Sequence, residues 1–454
     1  MTTLANAIST VRRTQPLLVV GSVAALRGMS VLVESFPAPV GSIVSIHSGH
    51  GDQNIIPGEV VGFTREHAVI MLLGQTGGIR PGDRVFAEQS SPTVNVGRQM
   101  LGRVLDGIGR PIDGGPRILD THPVALNPDP VSPMRRKRIQ TPLATGVRSL
   151  DAMTTLGRGQ RLGIFAGPGV GKSTLLGSIA RRTAADINVI ALIGERGREV
   201  RDFIEHALGP EGLARSVVVV ATGDEAPLLR LRAARLACSI AEFFRDLGKD
   251  VLLMMDSITR FAHAQRQIGL SVGEPPATKG YTPSVFAALA GLLERAGSLQ
   301  SGGSITGLYT ILVEGDDMTE PISDAARGIL DGHVVLSRKL AQRAHFPAID
   351  VLDSVSRVAD DVTDSEHQQA RRRIMRLLAV YRDVEDLVQI GAYARGSNPE
   401  ADVAIEMNAQ INEMLRQATS EASTFDQARA SLLKLAEQSS AASVRLARAR
   451  GRAA

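Results

Sequence analysis

The spacing of apolar residues changes twice along the chain, and each change predicts a different kind of structure. In the first part, short apolar runs lie at residues 17–20, 30–33, 42–46 and 68–73. They are separated by glycines and by Pro57-Gly58. Short strands with this punctuation are typical of a small barrel or sandwich. We therefore predict an N-terminal β-barrel over residues 1–92, with an assembly role because it carries no catalytic cluster.

In the middle of the chain, near-continuous apolar runs alternate with stretches of helical spacing. These runs lie at residues 162–165, 189–193, 217–221, 251–255 and 306–313. Strands that are apolar on both sides are what a mostly parallel sheet covered by helices requires. The pattern predicts an α/β nucleotide-binding core over residues 93–360.

Beyond residue 360 the strand signals stop and only helical spacing remains. Leu, Ile, Ala and Met recur at helical intervals over 365–381, 399–418 and 425–450. We predict a C-terminal helical domain over 361–454, interrupted by an exposed loop near Gly396. At the other end, the spacing of Leu4, Ala7, Ile8 and Val11 permits an amphipathic helix, and a frayed terminus is an equally good interpretation.

Composition narrows the functional classes. The 454 residues carry a net charge of +4, and the single cysteine, Cys238, excludes an internal disulfide. The sequence has no apolar run of transmembrane length and no recognisable signal peptide, so we expect a cytoplasmic protein. There is no Trp and there are only four Tyr, which argues against a protein that stacks single-stranded nucleic acid on aromatic side chains.

The most specific motif is Ala-Gly-Pro-Gly-Val-Gly-Lys-Ser-Thr at residues 166–174. It follows a predicted strand and opens a predicted helix, which is the setting of a P-loop. Glycines allow backbone N–H groups to converge on phosphate oxygens at a helix N-terminus. Ala166 replaces the first glycine of the strict pattern, and a small residue is expected to be tolerated there. The predicted nucleotide-binding residues are Gly167, Pro168, Gly169, Val170, Gly171, Lys172, Ser173 and Thr174.

Two carboxylates are expected at the same edge of the sheet, because each directly follows an apolar run. Asp256 is predicted, with the Ser173 hydroxyl, to hold Mg²⁺ beside the P-loop. Glu195 is placed to orient and deprotonate an attacking water, and Arg196 to sense the γ-phosphate. From spacing alone, a surface salt bridge between Glu195 and Arg196 or Arg198 is as good an interpretation.

Several stretches together resemble the rotary-type ATPases. They are residues 102–106, 109–113, 157–161, 194–196, 242–246 and 353–357. Residues 273–286, with 293–297 and 313–317, are most similar to the type III export ATPases within that group. The Ala-Thr-Lys-Gly-Tyr form at 277–281 looks flagellar. The resemblance covers about residues 15–395.

The resemblance implies a role for each matching residue. Glu195 matches the general base, and Arg196 and Arg260 match positions near the γ-phosphate. Arg357 matches an arginine finger that the family supplies in trans within a homohexamer. Phe346 matches an aromatic residue that packs on adenine.

The implied activity is Mg²⁺-dependent ATP hydrolysis that energises type III export of flagellar proteins. The implied partners are a regulator, a coiled-coil stalk near 396–402, export chaperones and substrates, and a membrane export gate, with peripheral inner-membrane association. No nucleic-acid partner is expected.

Rival interpretations stay open at this point. They are the ATPase of a virulence injectisome, a hexameric helicase, a non-catalytic assembly subunit and a proton-driven synthase subunit. Only Glu400 and Asp402 supply acidic charge near the stalk loop, which weighs against the synthase. Residues 135–138, Arg-Arg-Lys-Arg, form only a weak basic patch for a helicase.

Overall fold

The computed structural model describes residues 18–49, 54–74, 77–89, 92–313 and 317–451. The N-terminal helix hypothesis and the 314–316 part of the export-ATPase resemblance lie outside these residues. Within the described ranges, every helix is too short or too polar to cross a bilayer.

The first part of the chain that the structure describes forms a closed, antiparallel six-stranded barrel in the order β1-β2-β5-β4-β3-β6. Its strands are β1 (Val20–Arg27), β2 (Ser30–Glu34), β3 (Ile43–His47), β4 (Ile55–Phe63), β5 (His67–Leu72) and β6 (Arg84–Gln89). The barrel prediction is therefore confirmed, although two local expectations are wrong. The first strand begins at Val20 rather than at residue 17, and Pro57-Gly58 lies inside β4 rather than in a turn.

Close packing explains the glycine inside β4. A Cβ at Gly58 would lie 2.7 Å from the side chain of Ile70 on the neighbouring strand, so only glycine fits there. Pro57 lacks an N–H group, but its carbonyl still accepts a hydrogen bond from the Leu73 amide at 2.9 Å.

The remaining strands build two small ladders and one large sheet. They are β7 (Thr93–Val96), β8 (Val104–Leu105), β9 (His122–Ala125), β10 (Pro142–Leu143), β11 (Leu156–Gly157), β12 (Arg161–Ala166), β13 (Ile187–Ile193), β14 (Ser216–Ala221), β15 (Asp250–Asp256), β16 (Gly297–Ser298), β17 (Ser304–Leu312), β18 (Gly332–Leu336) and β19 (Ile349–Ser356). The large sheet has the order β19-β18-β12-β17-β15-β13-β14-β8 and is parallel from β18 to β8. All five apolar runs of the predicted core are strands of this sheet.

Helices cover both faces of the sheet and form the C-terminal end. They are α1 (Arg148–Met153), α2 (Lys172–Arg182), α3 (Gly197–Asp202), α4 (Gly209–Ala214), α5 (Pro227–Asp246), α6 (Ile258–Ser271), α7 (Pro283–Leu293), α8 (Pro321–Ile329), α9 (Arg338–Gln342), α10 (Ala359–Val362), α11 (Ser365–Gln389), α12 (Pro399–Leu415) and α13 (Phe425–Gly451). A π-helical turn, Phe203–Leu208, joins α3 to α4, and 3₁₀ turns lie at Arg98–Met100, Pro133–Arg135 and Thr278–Gly280. The three predicted C-terminal helices are present, but the middle one ends at Leu415, not at residue 418.

The barrel is attached to the sheet by a continuous apolar core. Met71 and Leu73 pack in the same buried cluster as α5 and strands β13 to β15. At this boundary Arg232 donates to Glu59 across 3.0 Å, and the two side chains are only 6% and 8% exposed. Burial raises the pKa of Glu59, against the opposing effect of Arg232. The barrel is therefore held to the core by apolar packing and by one buried ion pair.

Candidate functional site

The P-loop joins β12 to α2 at the carboxyl edge of the large sheet. Gly169 and Gly171 adopt positive φ angles of 76° and 88°, which glycine reaches without steric cost. Ala166 is buried as the last residue of β12, so its methyl group fits where the strict pattern has glycine. Ser173 and Thr174 are exposed in the first turn of α2. The sequence thus forms the strand, loop and helix that phosphate binding requires.

Sheet register brings the two predicted carboxylates to this same edge. Asp256 ends β15 and pairs with Leu192 of β13, so Glu195, three residues farther along, leaves the sheet at the same level. Lys172 contacts both: its Nζ donates to Asp256 Oδ1 and lies 3.6 Å from Glu195 Oε1. The structure therefore brings Lys172, Glu195 and Asp256 together. The alternative in which Glu195 pairs with Arg196 or Arg198 on the surface is not what is observed.

The electrostatics of this cluster suit a general base. Burial and the Asp256 carboxylate raise the pKa of Glu195, Lys172 lowers it, and Glu199 raises it further, which leaves it at about 7. A base with a pKa near neutrality accepts a proton most effectively at neutral pH. The arrangement can therefore deprotonate a water held beside the γ-phosphate.

The oxygen donors at the P-loop match the chemistry of Mg²⁺. Asp256 is 4% exposed, and its Oδ1 also accepts a hydrogen bond from Thr310 at 2.6 Å. The exposed Ser173 hydroxyl adds a second hard oxygen donor. Mg²⁺ usually binds through one or two protein oxygens together with substrate phosphates, rather than in an all-protein cage. Ser173 and Asp256 fit that pattern.

A cavity of about 460 Å³ adjoins the P-loop, and Glu195 is not among the residues that line it. Phe346 lies in its wall, is 46% exposed, and approaches Gly171 closely enough that a Cβ there would lie 3.7 Å from the ring. The lining is mostly apolar and includes Val170 and Leu336. A flat base linked to phosphates on the P-loop fits this position.

Sequence reasoning missed part of this cavity. Residues 417–419 line it from the C-terminal end of the chain, where a helix was predicted. Arg182, at the end of α2, also lines the cavity and donates to the Thr419 carbonyl. No motif marks these residues, because their position follows from how the helical part packs on the core.

The two arginines predicted near the γ-phosphate differ in their position relative to the cluster. The Arg196 side chain is 87% exposed and pairs with Glu199 at 3.6 Å, so the isolated chain does not bring it to the P-loop. Arg260, in the first turn of α6, packs its aliphatic stem against Gly194, next to Glu195. Of these two, only Arg260 lies beside the edge that carries Glu195.

Arg357 lies at the opposite edge of the sheet. Its amide donates to the Asp331 carbonyl at 3.0 Å, and Asp331 in turn accepts from Arg161, the first residue of β12. The P-loop follows the last residue of that strand, about 17 Å away at 3.3 Å per residue. An arginine side chain does not span that distance, so Arg357 cannot reach its own P-loop.

Two of the four basic side chains at residues 135–138 make contacts with other parts of the chain. Arg136 donates to the Ala296 carbonyl at 2.8 Å and pairs with Glu294, while Arg138 pairs with Asp361 at 2.8 Å. These contacts give Arg136 and Arg138 a structural role, while Arg135 and Lys137 are exposed.

Comparisons with known proteins agree on one family. Residues 146–356 match the ATP synthase alpha/beta family, nucleotide-binding domain, and residues 363–434 match the T3SS EscN ATPase C-terminal domain. A flagellum-specific ATP synthase of Treponema pallidum is 52% identical over 93% of this chain and 94% of the relative. A type 3 secretion system ATPase of Xanthomonas euvesicatoria is 48% identical over 89% and 91%.

Solved structures give the same result. The assembled ATPase EscN of the enteropathogenic E. coli type III secretion system matches with a TM-score of 0.87 and 42% identity, covering 92% of this chain and all of that one. EscN in complex with its central stalk EscO matches with a TM-score of 0.85 and 41% identity, with the same coverage.

Proposed function

This chain belongs to the family of flagellum-specific ATP synthases and type III secretion ATPases and is an ATPase of type III export, and we propose that Lys172, Glu195 and Asp256 form its catalytic centre. The convergence of these three side chains at the end of the P-loop carries the proposal. Each comes from a different strand end, which is how open α/β sheets build their sites.

In the proposed reaction, the P-loop amides and Lys172 hold the β- and γ-phosphates, and Lys172 leaves Asp256 to do so. Ser173 and Asp256 would hold Mg²⁺, which would supply positive charge to the phosphate oxygens. Glu195 accepts the proton of the water whose oxygen bonds to the γ-phosphorus, while the bond from that phosphorus to the β–γ bridging oxygen breaks and ADP leaves. Arg260 stands at the same edge to contact the γ-phosphate. Arg196 joins them only if the exposed side chain turns inward in an assembled ring.

The arginine finger comes from a neighbouring subunit. Arg357 is exposed at the edge opposite the P-loop, so a head-to-tail arrangement of subunits is what brings it to a nucleotide. We take this arrangement to be a homohexamer, as the resemblance implies. The three predicted domains have different roles in this proposal. Residues 1–92 hold the ring together, residues 93–360 hydrolyse ATP, and residues 361–454 face the stalk.

Two inactive variants test both the centre and the finger. Lys172→Ala should lose hydrolysis, and Arg357→Ala should fall by about 10³-fold or more, the range for arginine fingers. Mixed one to one and reassembled, they should recover up to about a quarter of wild-type activity, since one interface in four pairs an intact P-loop with an intact finger. If the mixture stays as inactive as its components while forming rings normally, the trans assignment is wrong.

The export process that ATP hydrolysis drives is tested in cells. We propose that the exported proteins are flagellar, with chaperones, a regulator, a stalk and a membrane export gate as partners and with the ATPase bound peripherally at the inner membrane. A chromosomal Glu195→Gln allele, expressed at normal level, should leave cells with few or no filaments by electron microscopy. Full flagellation would leave two explanations, a role in a different export system or an ATP turnover that export does not need. The injectisome would then be the first candidate, and secretion measured in the same strain separates the two.

A further inference from the structure

The connector between α12 and α13, residues 416–424, forms one wall of the nucleotide cavity. Its residues 417–419 face the same space as Gly171 of the P-loop and Phe346. The base end of the cavity is therefore shared between the sheet and the C-terminal helices.

Gln417 joins the segments that meet there. Its backbone N–H donates to the Phe346 carbonyl at 2.9 Å, and its side-chain oxygen accepts from the Arg148 amide at 2.7 Å. Its side-chain NH₂ group donates to the carbonyls of Gly146 at 2.9 Å and Glu421 at 3.0 Å. The residue is 8% exposed. Both amide hydrogens and the oxygen are thus engaged with backbone groups, which means that Gln417 organises the cavity rather than binding a ligand directly.

These contacts fix the position of the 416–424 connector relative to Phe346. Gln417 is hydrogen-bonded to the Phe346 backbone and, through the Glu421 carbonyl, to the rest of the connector, so one residue ties two walls of the cavity together. The Arg148 amide belongs to α1, which packs against the helices of the C-terminal end. Displacement of those helices would therefore move the connector relative to Phe346.

We infer that Gln417 is a positioning residue for the purine base: it holds the Phe346 wall and the 416–424 connector at the spacing of a bound base. This rests on the proposed function, because it assumes that the nucleotide occupies this cavity. The phosphates contact the P-loop instead, so Gln417 acts on the base and not on the triphosphate.

The test compares two ligands that differ by the nucleoside. ADP and inorganic tripolyphosphate, each with Mg²⁺, are titrated into assembled wild-type protein and Gln417→Met, which keeps the side-chain length and removes the amide. ADP affinity should fall about tenfold, as expected for one or two lost net hydrogen-bond contributions. Tripolyphosphate affinity should stay within about twofold, since the P-loop is untouched. For ATP hydrolysis, KM should rise in proportion while kcat stays nearly constant.

Matched variants separate positioning from general damage. Gln389→Met, an exposed glutamine at the end of α11, should leave both affinities unchanged. Gln417→Glu keeps the acceptor for Arg148 but loses both donors, and should behave like Gln417→Met. If Gln417→Met does not fold, Arg182→Met replaces it, because Arg182 holds the connector through Thr419 and should give the same ADP-selective loss.

The inference would be overturned if Gln417→Met lowered the affinities for ADP and tripolyphosphate equally, or if it changed neither affinity. A different result would separate the two proposals. If Gln417→Met weakens ADP binding but not tripolyphosphate binding, and the wild-type protein does not hydrolyse ATP, the proposed function fails while the positioning role stands.

Discussion

The raised pKa of Glu195 predicts an acid limb in the activity of the enzyme. The carboxylate acts as a base only when it is ionised, and with a pKa of about 7 it is protonated progressively as the pH falls. At pH 8 about nine-tenths of the molecules carry the ionised form, and at pH 6 about one-tenth, from the definition of the pKa. Since kcat/KM reports the free enzyme, it should fall about tenfold between these pH values.

The assay is steady-state ATP hydrolysis with saturating Mg²⁺ at several pH values, on assembled protein. ATP itself titrates in this range, so the decisive comparison is with Glu199→Gln. Glu199 raises the pKa of Glu195, and its removal should move the acid limb to lower pH, while the titration of ATP is identical for both proteins. If kcat/KM is flat between pH 6 and pH 8, or if Glu199→Gln leaves the limb unmoved, Glu195 is not the titrating base.

Three further predictions concern the base, the barrel and the basic patch. Phe346→Ala should raise KM for ATP about three- to tenfold, the worth of one aromatic contact, while Phe346→Tyr should stay near wild type; steady-state kinetics would contradict this if both variants behaved alike. Glu59→Ala should leave Arg232 buried and unpaired and should destabilise the barrel boundary by ~3 kcal/mol. The double variant Glu59→Leu with Arg232→Met should recover most of the lost stability. Hydrogen exchange in β4 measures this, and unchanged protection in Glu59→Ala would refute it. Arg136→Ala should lower the thermal midpoint, because the carbonyls that it contacts lose their donor, without altering hydrolysis in the presence of single-stranded RNA; RNA stimulation of the wild type that is lost in the variant would contradict it.

The core could be predicted from sequence because its signals are local. A buried parallel strand needs a continuous apolar run, and the P-loop needs glycines at positive φ, so β12 to β15 and residues 166–174 follow from the chain itself. Asp256 and Glu195 could be placed at one edge because parallel strands end together.

The parts that sequence reasoning missed depend on distant contacts. Gly58 and Pro57 resemble a turn, but they lie inside β4, where the close approach of Ile70 on the neighbouring strand requires glycine. Residues 416–418 have helical spacing, yet Gln417 obtains four hydrogen bonds from residues that are far away in the sequence or beyond the helix end, which outweigh the continuation of α12. The exposed position of Arg196 likewise depends on Glu199 and on solvent, and no spacing rule indicates it.

The separation of Arg357 from its own P-loop by the length of β12 has a consequence for communication. With Arg357 as the proposed finger, each subunit would offer its finger to one neighbour and its nucleotide site to the other, so the two interfaces that it makes would be chemically different. In a closed ring of such subunits, the state of one nucleotide is sensed by the neighbour on one side only. Communication between nucleotide sites would then run around the ring in one fixed direction. To reverse that direction, the order of the strands in the sheet would have to change; a change in the order in which the sites hydrolyse ATP would not be enough.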